Sequence, residues 1–219
     1  MRMTIASLAI LCLALAAVPA SAQVLYDDGP INGTTDAWTI NFGYVIGDSF
    51  TLSANSTVGG FNFGVWEFRG DILTSVDWSI TAYPVGGTVY GSGTASGKDL
   101  TDQFISVNQY GYDIDKITVT GLNVSLASGP TYWLNLQNAM VPSGNPVYWD
   151  ENSGIGCKGD DGMGGGCPSQ ASGGGVGSDP AESFDINGPG GGTTPEPSSI
   201  ALFGSGALGL ASVLRRKLF

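Results

Sequence analysis

Short runs in which apolar and polar residues alternate dominate the chain between residues 23 and 137. In the run VDWSITAY, Val76 and Ile80 fall on one face of an extended chain and Asp77 and Thr81 fall on the other. A period of two residues indicates a strand that is buried on one side only. The region has no sustained apolar period of 3.6 residues, so we expect no helices in it.

Residues that favour turns separate these runs, as in Asp28-Gly29-Pro30. The pattern predicts an all-β domain, a single antiparallel β-sandwich that is jelly-roll-like. The alternation slips out of phase at Gly121-Leu122, which predicts a β-bulge or a bend there. The other alternating runs are SFTLSA (49–54), KITVTG (116–121), LNVSL (122–126) and TYWLNLQ (131–137).

Residues 1–22 have the parts of a secretory signal peptide. Arg2 precedes an uninterrupted apolar run, and the small residues Ala20 and Ala22 occupy the −3 and −1 positions of a cleavage site. We therefore expect an N-terminal signal helix, cleavage before Gln23 and export of the mature chain. An uncleaved anchor is the alternative, which the shortness of the apolar run disfavours.

The charge of the mature chain is lopsided. All 19 acidic residues, but only four of the eight basic residues, lie between Asp27 and Glu196, which leaves that region with a net charge of −15. A region this acidic repels phosphate backbones, so we expect no nucleic acid partner. Its length suits one domain with a core of its own, which we place at residues 23–186.

The second part of that domain is rich in glycine. The stretch 152–180 contains eleven glycines and few apolar residues, which predicts a long surface loop. Cys157 and Cys167 lie in it, and in an oxidising compartment they predict a disulfide. A two-cysteine metal site is the alternative; because the chain has no histidine, carboxylates would have to complete it. We expect a last strand at 181–186 and a glycine-rich linker at 187–194.

The final residues, 195–219, combine three features. A Pro-Glu-Pro triplet comes first, an uncharged run of 17 residues follows at 198–214, and a basic end closes the series. As a helix the uncharged run would be roughly 25 Å long, which predicts a C-terminal transmembrane helix. The residues that define the triplet and the basic end are Pro195, Glu196, Pro197, Arg215, Arg216 and Lys217.

Gly204, Gly206 and Gly209 have the spacing of a dinucleotide-binding loop. Such a loop must follow a strand and open a helix inside a βαβ unit, and no such unit surrounds these glycines. We therefore expect no nucleotide ligand.

In its order of features the tail resembles the PEP-CTERM sorting signal. The resemblance implies that an exosortase in the inner membrane recognises the tail, cuts near Pro-Glu-Pro and passes the protein to the cell surface or the extracellular polysaccharide matrix. The runs TYWLNLQNA and VYWDE are also similar to outer domains of small PEP-CTERM proteins. A plain C-terminal membrane anchor is the alternative.

Residues suited to catalysis are few. The absence of histidine excludes Ser-His-Asp and Cys-His catalysis. Asp113 and Asp115 would share one face of a strand, which keeps a secreted carbohydrate-active hydrolase as a third hypothesis. We expect no organic cofactor, whereas oxygen ligands at 150–152 and at Asp160 and Asp161 keep a structural calcium ion open.

Two tryptophans are candidates for sugar stacking. Trp133 lies opposite an apolar strand face, and Trp149 adjoins the glycine-rich stretch; for both, a place in the core is the alternative. Our first hypothesis is an exported, non-enzymatic surface or matrix protein. The second is a lectin-like module that binds exopolysaccharide.

Overall fold

The structure, a computed structural model, describes residues 22–153, 171–173, 177–179 and 181–190. Within these ranges the regular elements are strands, apart from one turn of 3₁₀ helix. The strands are β1 (Val24–Asp27), β2 (Ala37–Thr39), β3 (Val45–Thr51), β4 (Ser56–Glu67), β5 (Ser75–Tyr83), β6 (Gly86–Ser96), β7 (Leu100–Val107), β8 (Asp113–Leu126), β9 (Thr131–Met140), β10 (Tyr148–Asp150), β11 (Ala171–Gly173), β12 (Gly177–Asp179) and β13 (Phe184–Asn187).

The first sheet is organised around the long strand β4. Strand β8 pairs with one edge of β4, and β13 and β10 pair in succession with the other edge. Outside these, β7 pairs with β8, β1 pairs with β13 and β2 pairs with β10. All of these pairings are antiparallel, so neighbouring strands of this sheet run in opposite directions.

The second sheet has the strand order β12-β11-β3-β9-β5-β6. It packs face to face on the first sheet. The ring centroids of Phe50 in β3 and Phe184 in β13 lie 6.4 Å apart, and those of Phe61 in β4 and Trp78 in β5 lie 6.2 Å apart. One apolar core therefore fills the space between the sheets, and each large side chain buried there contributes about 1.5–3 kcal/mol.

The alternation in the sequence matches this burial. In β9, Tyr132, Leu134 and Leu136 face the core, whereas Trp133 and Gln137 on the outer face are half-buried. The predicted bulge is also present. Val58 of β4 pairs with Val124 while Gly60 pairs with Thr120, so β8 has two extra residues there.

The prediction for residues 152–180 was wrong in part, because β11 and β12 form a hairpin there that extends the second sheet from β3. Backbone hydrogen bonds to a sheet edge need no large side chains, so a stretch rich in glycine can still pair. The last strand begins later than predicted, at Phe184, and Glu182 forms an isolated bridge with Glu151.

The prediction of an all-β domain with two antiparallel sheets is confirmed, and the likeness to a jelly roll stays a prediction. The compact unit runs from Gln23 to Gly191. The signal helix, the Cys157–Cys167 disulfide and the C-terminal helix fall outside the described residues. In the part of the chain that the structure describes, no helix is long and apolar enough to cross a membrane.

Candidate functional site

One end of the sandwich, which we call the loop end, is built from four connections at residues 40–44, 68–74, 108–112 and 141–147. The strand register brings them together, because the last residue of β4 pairs with the first residue of β8, and β10 begins beside β4 at the same level. Two backbone hydrogen bonds also join these connections to the end of β9. The Ala139 N–H donates to the Ile40 carbonyl at 3.0 Å, and the Thr74 N–H donates to the Met140 carbonyl at 2.8 Å.

A groove of about 410 Å³ lies at the loop end. The exposed side chains of Phe42 and Met140 line it together with Asn138 and Asn145. Among the described residues, none of those that line the groove is charged. An aromatic ring beside amide groups in an uncharged concavity suits a neutral ligand that offers both apolar faces and hydroxyl groups.

The backbone holds two of these groove residues in an unusual conformation. Phe42 and Asn138 have φ angles of +54° and +51°, in the left-handed region that residues with a side chain seldom adopt. Such a conformation costs of the order of 1 kcal/mol and persists where neighbours hold it. Asn138 is held by its side chain, which donates a 2.8 Å hydrogen bond from Nδ2 to Asp77. For Phe42 the conformation leaves 64% of the residue exposed.

A cluster of aromatic rings lies at the loop end, among residues that do not line the groove. Tyr110 stacks on Trp66 with 5.7 Å between ring centroids and 25° between ring planes. Tyr112 contacts Trp66, Phe68 and Tyr148 with centroid distances of 5.9, 5.2 and 5.7 Å. Because Trp66 supports one face of its ring, Tyr110 presents a firmly held aromatic surface to solvent and is 60% exposed.

Asp150 fixes this aromatic cluster from inside the protein. Its carboxylate accepts hydrogen bonds from Trp66 Nε1 at 2.6 Å and from the N–H groups of Asn32 and Gly33 at 3.1 Å. Ser183 Oγ donates a fourth bond at 3.1 Å. Burial raises the pKa of Asp150, and these four donors pull the pKa down again. Both oxygens of Asp150 are thus engaged by protein donors.

A second group of carboxyl groups lies beneath residues 68–74. Glu67 is fully buried, and neither of its carboxyl oxygens has a hydrogen-bond partner among the described residues. Burial, reinforced by Asp102 and Asp115, raises the pKa of Glu67 to about 8. Burial and the charges of Asp102 and Asp113 raise the pKa of Asp115 to about 7. None of these carboxyl groups lines the groove.

Of the residues that the sequence predicted for catalysis or metal binding, those that the structure describes do not line the groove. Asp113 and Asp115 do share one face of β8, and that face looks into the buried group rather than into the groove. In the part of the chain that the structure covers, no three acidic, cysteine or histidine side chains lie close enough to hold a metal ion. Asp160, Asp161, Cys157 and Cys167 lie outside that part, so structural calcium stays a prediction.

The two nominated tryptophans have different places. Trp133 is half-buried on the outer face of the second sheet. Trp149 is fully buried, donates a 3.1 Å hydrogen bond from Nε1 to the Ser183 carbonyl and packs edge-on against Phe63 and Phe184. Trp149 therefore has no exposed ring face on which a sugar could stack, and we assign it to the core instead.

Phe42 and Tyr110 are not among the site residues predicted from the sequence. A signal for them is present, because NFGY (41–44) and NQYGY (108–112) place aromatic residues beside glycine inside short connections. A bulky ring in a tight turn has little core to reach, so it points to solvent unless another ring covers it.

A comparison with protein-family models matches residues 193–217 to the PEP-CTERM protein-sorting motif. No curated protein matches the chain. The matched residues include the Pro-Glu-Pro triplet and the basic end, which lie outside the described residues. The motif implies export, anchoring at the membrane through the C-terminal end during sorting, and an exosortase as processing partner. This chain is therefore identified by its last residues as a carrier of the PEP-CTERM sorting signal.

Proposed function

We propose that this chain is an exported, non-enzymatic protein that an exosortase releases from its tail to the cell surface or the extracellular matrix. The single observation that carries the proposal is the sorting motif at residues 193–217. The signal peptide predicted at residues 1–22 supports the same route. An open groove lined without a titratable group supports a role other than catalysis, because acid–base chemistry needs such groups in reach of the substrate.

The intact mass of the protein, recovered from the cell surface and from the medium, tests this route. We expect the wild-type mass to lack residues 1–22 and the residues that follow the Pro-Glu-Pro triplet. The variant Glu196→Ala should lose its signal peptide and keep its tail. A wild-type mass that still includes residues 198–219 would contradict processing and would leave a plain anchor as the function of the tail.

A second candidate function is the binding of a neutral polysaccharide at the loop end. The observation that favours it is an uncharged groove lined by the exposed ring of Phe42, with a second exposed ring, that of Tyr110, in another connection of the same loop end. Flat rings stack on the apolar faces of sugars, while amide groups of the kind carried by Asn138 bind hydroxyl groups. The net charge of −15 between Asp27 and Glu196 disfavours acidic polymers as ligands of the exported protein.

Binding of the purified exported protein to immobilised neutral and acidic polysaccharides tests this function. We expect affinity for a neutral polymer that falls about tenfold, or about 1.4 kcal/mol, in Phe42→Ala and in Tyr110→Ala. Tyr83→Ala is the matched control, because Tyr83 is 67% exposed at the far end of β5. Equal losses in all three variants would argue against a site at the loop end.

The same samples discriminate binding from hydrolysis. If the protein released sugar from any of these polymers, and if a single substitution such as Asp115→Asn abolished that release, the chain would be an enzyme. We expect no release, since Asp115 and Glu67 are buried away from the groove. A retaining or inverting glycosidase instead needs both carboxyl groups beside the bound sugar.

A further inference from the structure

Four carboxyl groups at the loop end, two buried and two half-buried, are not used by the proposed function. They come from three elements, with Glu67 at the end of β4, Asp102 in β7, and Asp113 and Asp115 in β8. We call these four residues the acid cluster. The charges of all three aspartates, and that of Asp71 in the adjoining connection, act on Glu67.

Few positive charges balance the acid cluster. The Nε atom of Arg69 lies 3.8 Å from Asp113, and the Arg69 side chain is largely exposed. Lys116 follows Asp115 directly, but its charge acts on Asp185. An ionised Glu67 would thus be buried among like charges without a hydrogen bond, which is a strongly unfavourable state. A proton on Glu67 removes that charge.

Residues 68–74, which we call the cap loop, cover the acid cluster and are fastened to it. The Gly70 N–H donates a 3.0 Å hydrogen bond to Asp113, and the Leu73 N–H donates a 2.6 Å bond to Asp102. The cap loop also reaches the groove. Asp71 accepts hydrogen bonds from Ser143 Oγ at 2.7 Å and from Asn145 Nδ2 at 2.9 Å.

We propose that the acid cluster is a proton-controlled latch, in which a protonated Glu67 keeps the cap loop closed and loss of its proton lets the cap loop lift. Once ionised, Glu67 needs water, and water reaches it by displacing the cap loop above it. Because Asp71 joins the cap loop to Asn145, opening of the latch also loosens one wall of the groove. The latch does not depend on which ligand the groove takes.

The direction in which pH changes closure of the cap loop follows from the linkage between proton binding and closure. A carboxyl group with a raised pKa binds its proton more tightly in the closed state, so closure is favoured in acid and is lost as the pH rises through that pKa. For Glu67 the raised pKa is about 8. At pH 6 the latch is closed. Each pH unit between the ordinary glutamate pKa of 4.5 and this raised pKa weakens closure by about tenfold, and closure weakens no further above it.

Amide hydrogen exchange of the full-length chain, followed by mass spectrometry at pH 6 and pH 9, tests the latch. After correction for the intrinsic pH dependence of exchange, peptides that cover residues 68–74 should lose protection by about a hundredfold in the wild-type chain, tenfold for each of the two pH units between pH 6 and the raised pKa of Glu67. Glu67→Gln has the same shape and carries no titratable group, so this variant should keep its protection at pH 9. Peptides from β9 should stay protected at both pH values.

Asp185→Asn is the matched control. Asp185 also has a pKa raised by burial, but it lies in β13, outside the acid cluster. The control should behave as the wild-type chain does. The latch is overturned if protection of residues 68–74 does not change with pH, if Glu67→Gln loses as much protection as the wild-type chain, or if β9 loses protection equally. If the protection of residues 68–74 changed with added calcium and not with pH, the proton would not be the controlling ligand and the proposal would be wrong.

Discussion

Asp150 accepts four hydrogen bonds in an interior from which water is excluded. The donors belong to the connection at 32–33, to Trp66 in β4 and to Ser183 just before β13. One side chain therefore ties together three segments that are distant along the sequence. A buried carboxylate is tolerated when donors satisfy its oxygens, and charge-assisted bonds of this kind are stronger than neutral ones.

At this position we expect Asp150→Asn to lower the free energy of unfolding by about 3 kcal/mol, because an NH₂ group would replace one oxygen and face N–H and O–H donors. Asp77→Asn is the control. The Asp77 carboxylate also accepts side-chain hydrogen bonds, from Thr94 and Asn138, but these bonds are exposed. The control should cost about 1 kcal/mol or less. Urea unfolding followed by tryptophan fluorescence measures both, and equal costs would contradict a special role for Asp150.

At the scale of elements, β8 is the longest strand that the structure describes, with 14 residues. Two alternating runs share it, and they remain in one strand because the bulge at Gly121 corrects the phase between them. Gly121 has a φ angle of +81°, which a residue with a side chain adopts only under strain. Without the bulge, either Val119 or Val124 would turn away from the core.

We therefore expect Gly121→Ala to destabilise the domain by about 1–2 kcal/mol, mainly through backbone strain. Gly93→Ala is the matched control in β6. A Cβ atom at Gly93 would lie 3.4 Å from the Trp78 ring, an ordinary contact, and its backbone does not have a positive φ. This control should be neutral or slightly stabilising. A thermal unfolding midpoint that is the same in both variants would argue that the bulge does not need glycine.

For the whole molecule, the acidic character is not confined to the surface. Among the residues that the structure describes, at least five carboxyl groups have pKa values raised first of all by burial. Each of them binds a proton more tightly in the folded state than in the unfolded state. The contributions therefore add in one direction and favour the folded state in mild acid. The groups are Glu67, Asp102, Asp115, Asp150 and Asp185.

We expect the melting temperature of the wild-type chain to fall steadily between about pH 4.5 and pH 8 and to level off above pH 8. The window follows from Glu67, whose pKa rises from 4.5 to about 8, and from Asp115, whose pKa rises from 3.8 to about 7. Glu67→Gln should flatten the fall. Asp99→Asn removes one negative charge from a side chain that is 43% exposed, and it controls for net charge. A fall that is equally steep in all three proteins would assign the effect to general charge repulsion.

The prediction of the candidate site from sequence succeeded only for local features. The outward face of Trp133 follows from the alternation in β9, because seven residues of pattern are enough to assign its two faces. Trp149 lies in β10, which has three residues, and so short a strand shows no alternation that could assign its face. Its burial depends on Phe63 and Phe184, which come from other strands.

By itself the sequence determined the all-β class, the bulge at Gly121 and the sorting address, because each depends on neighbouring residues. The tertiary structure alone decided the loop end. Phe42, Glu67 and Tyr110 are more than 20 residues apart along the chain, and they reach one end of the molecule only through the pairing of β4 with β8 and β10 and of β10 with β2. Strand partners and register are set by contacts across the whole core, and a local sequence pattern does not specify them.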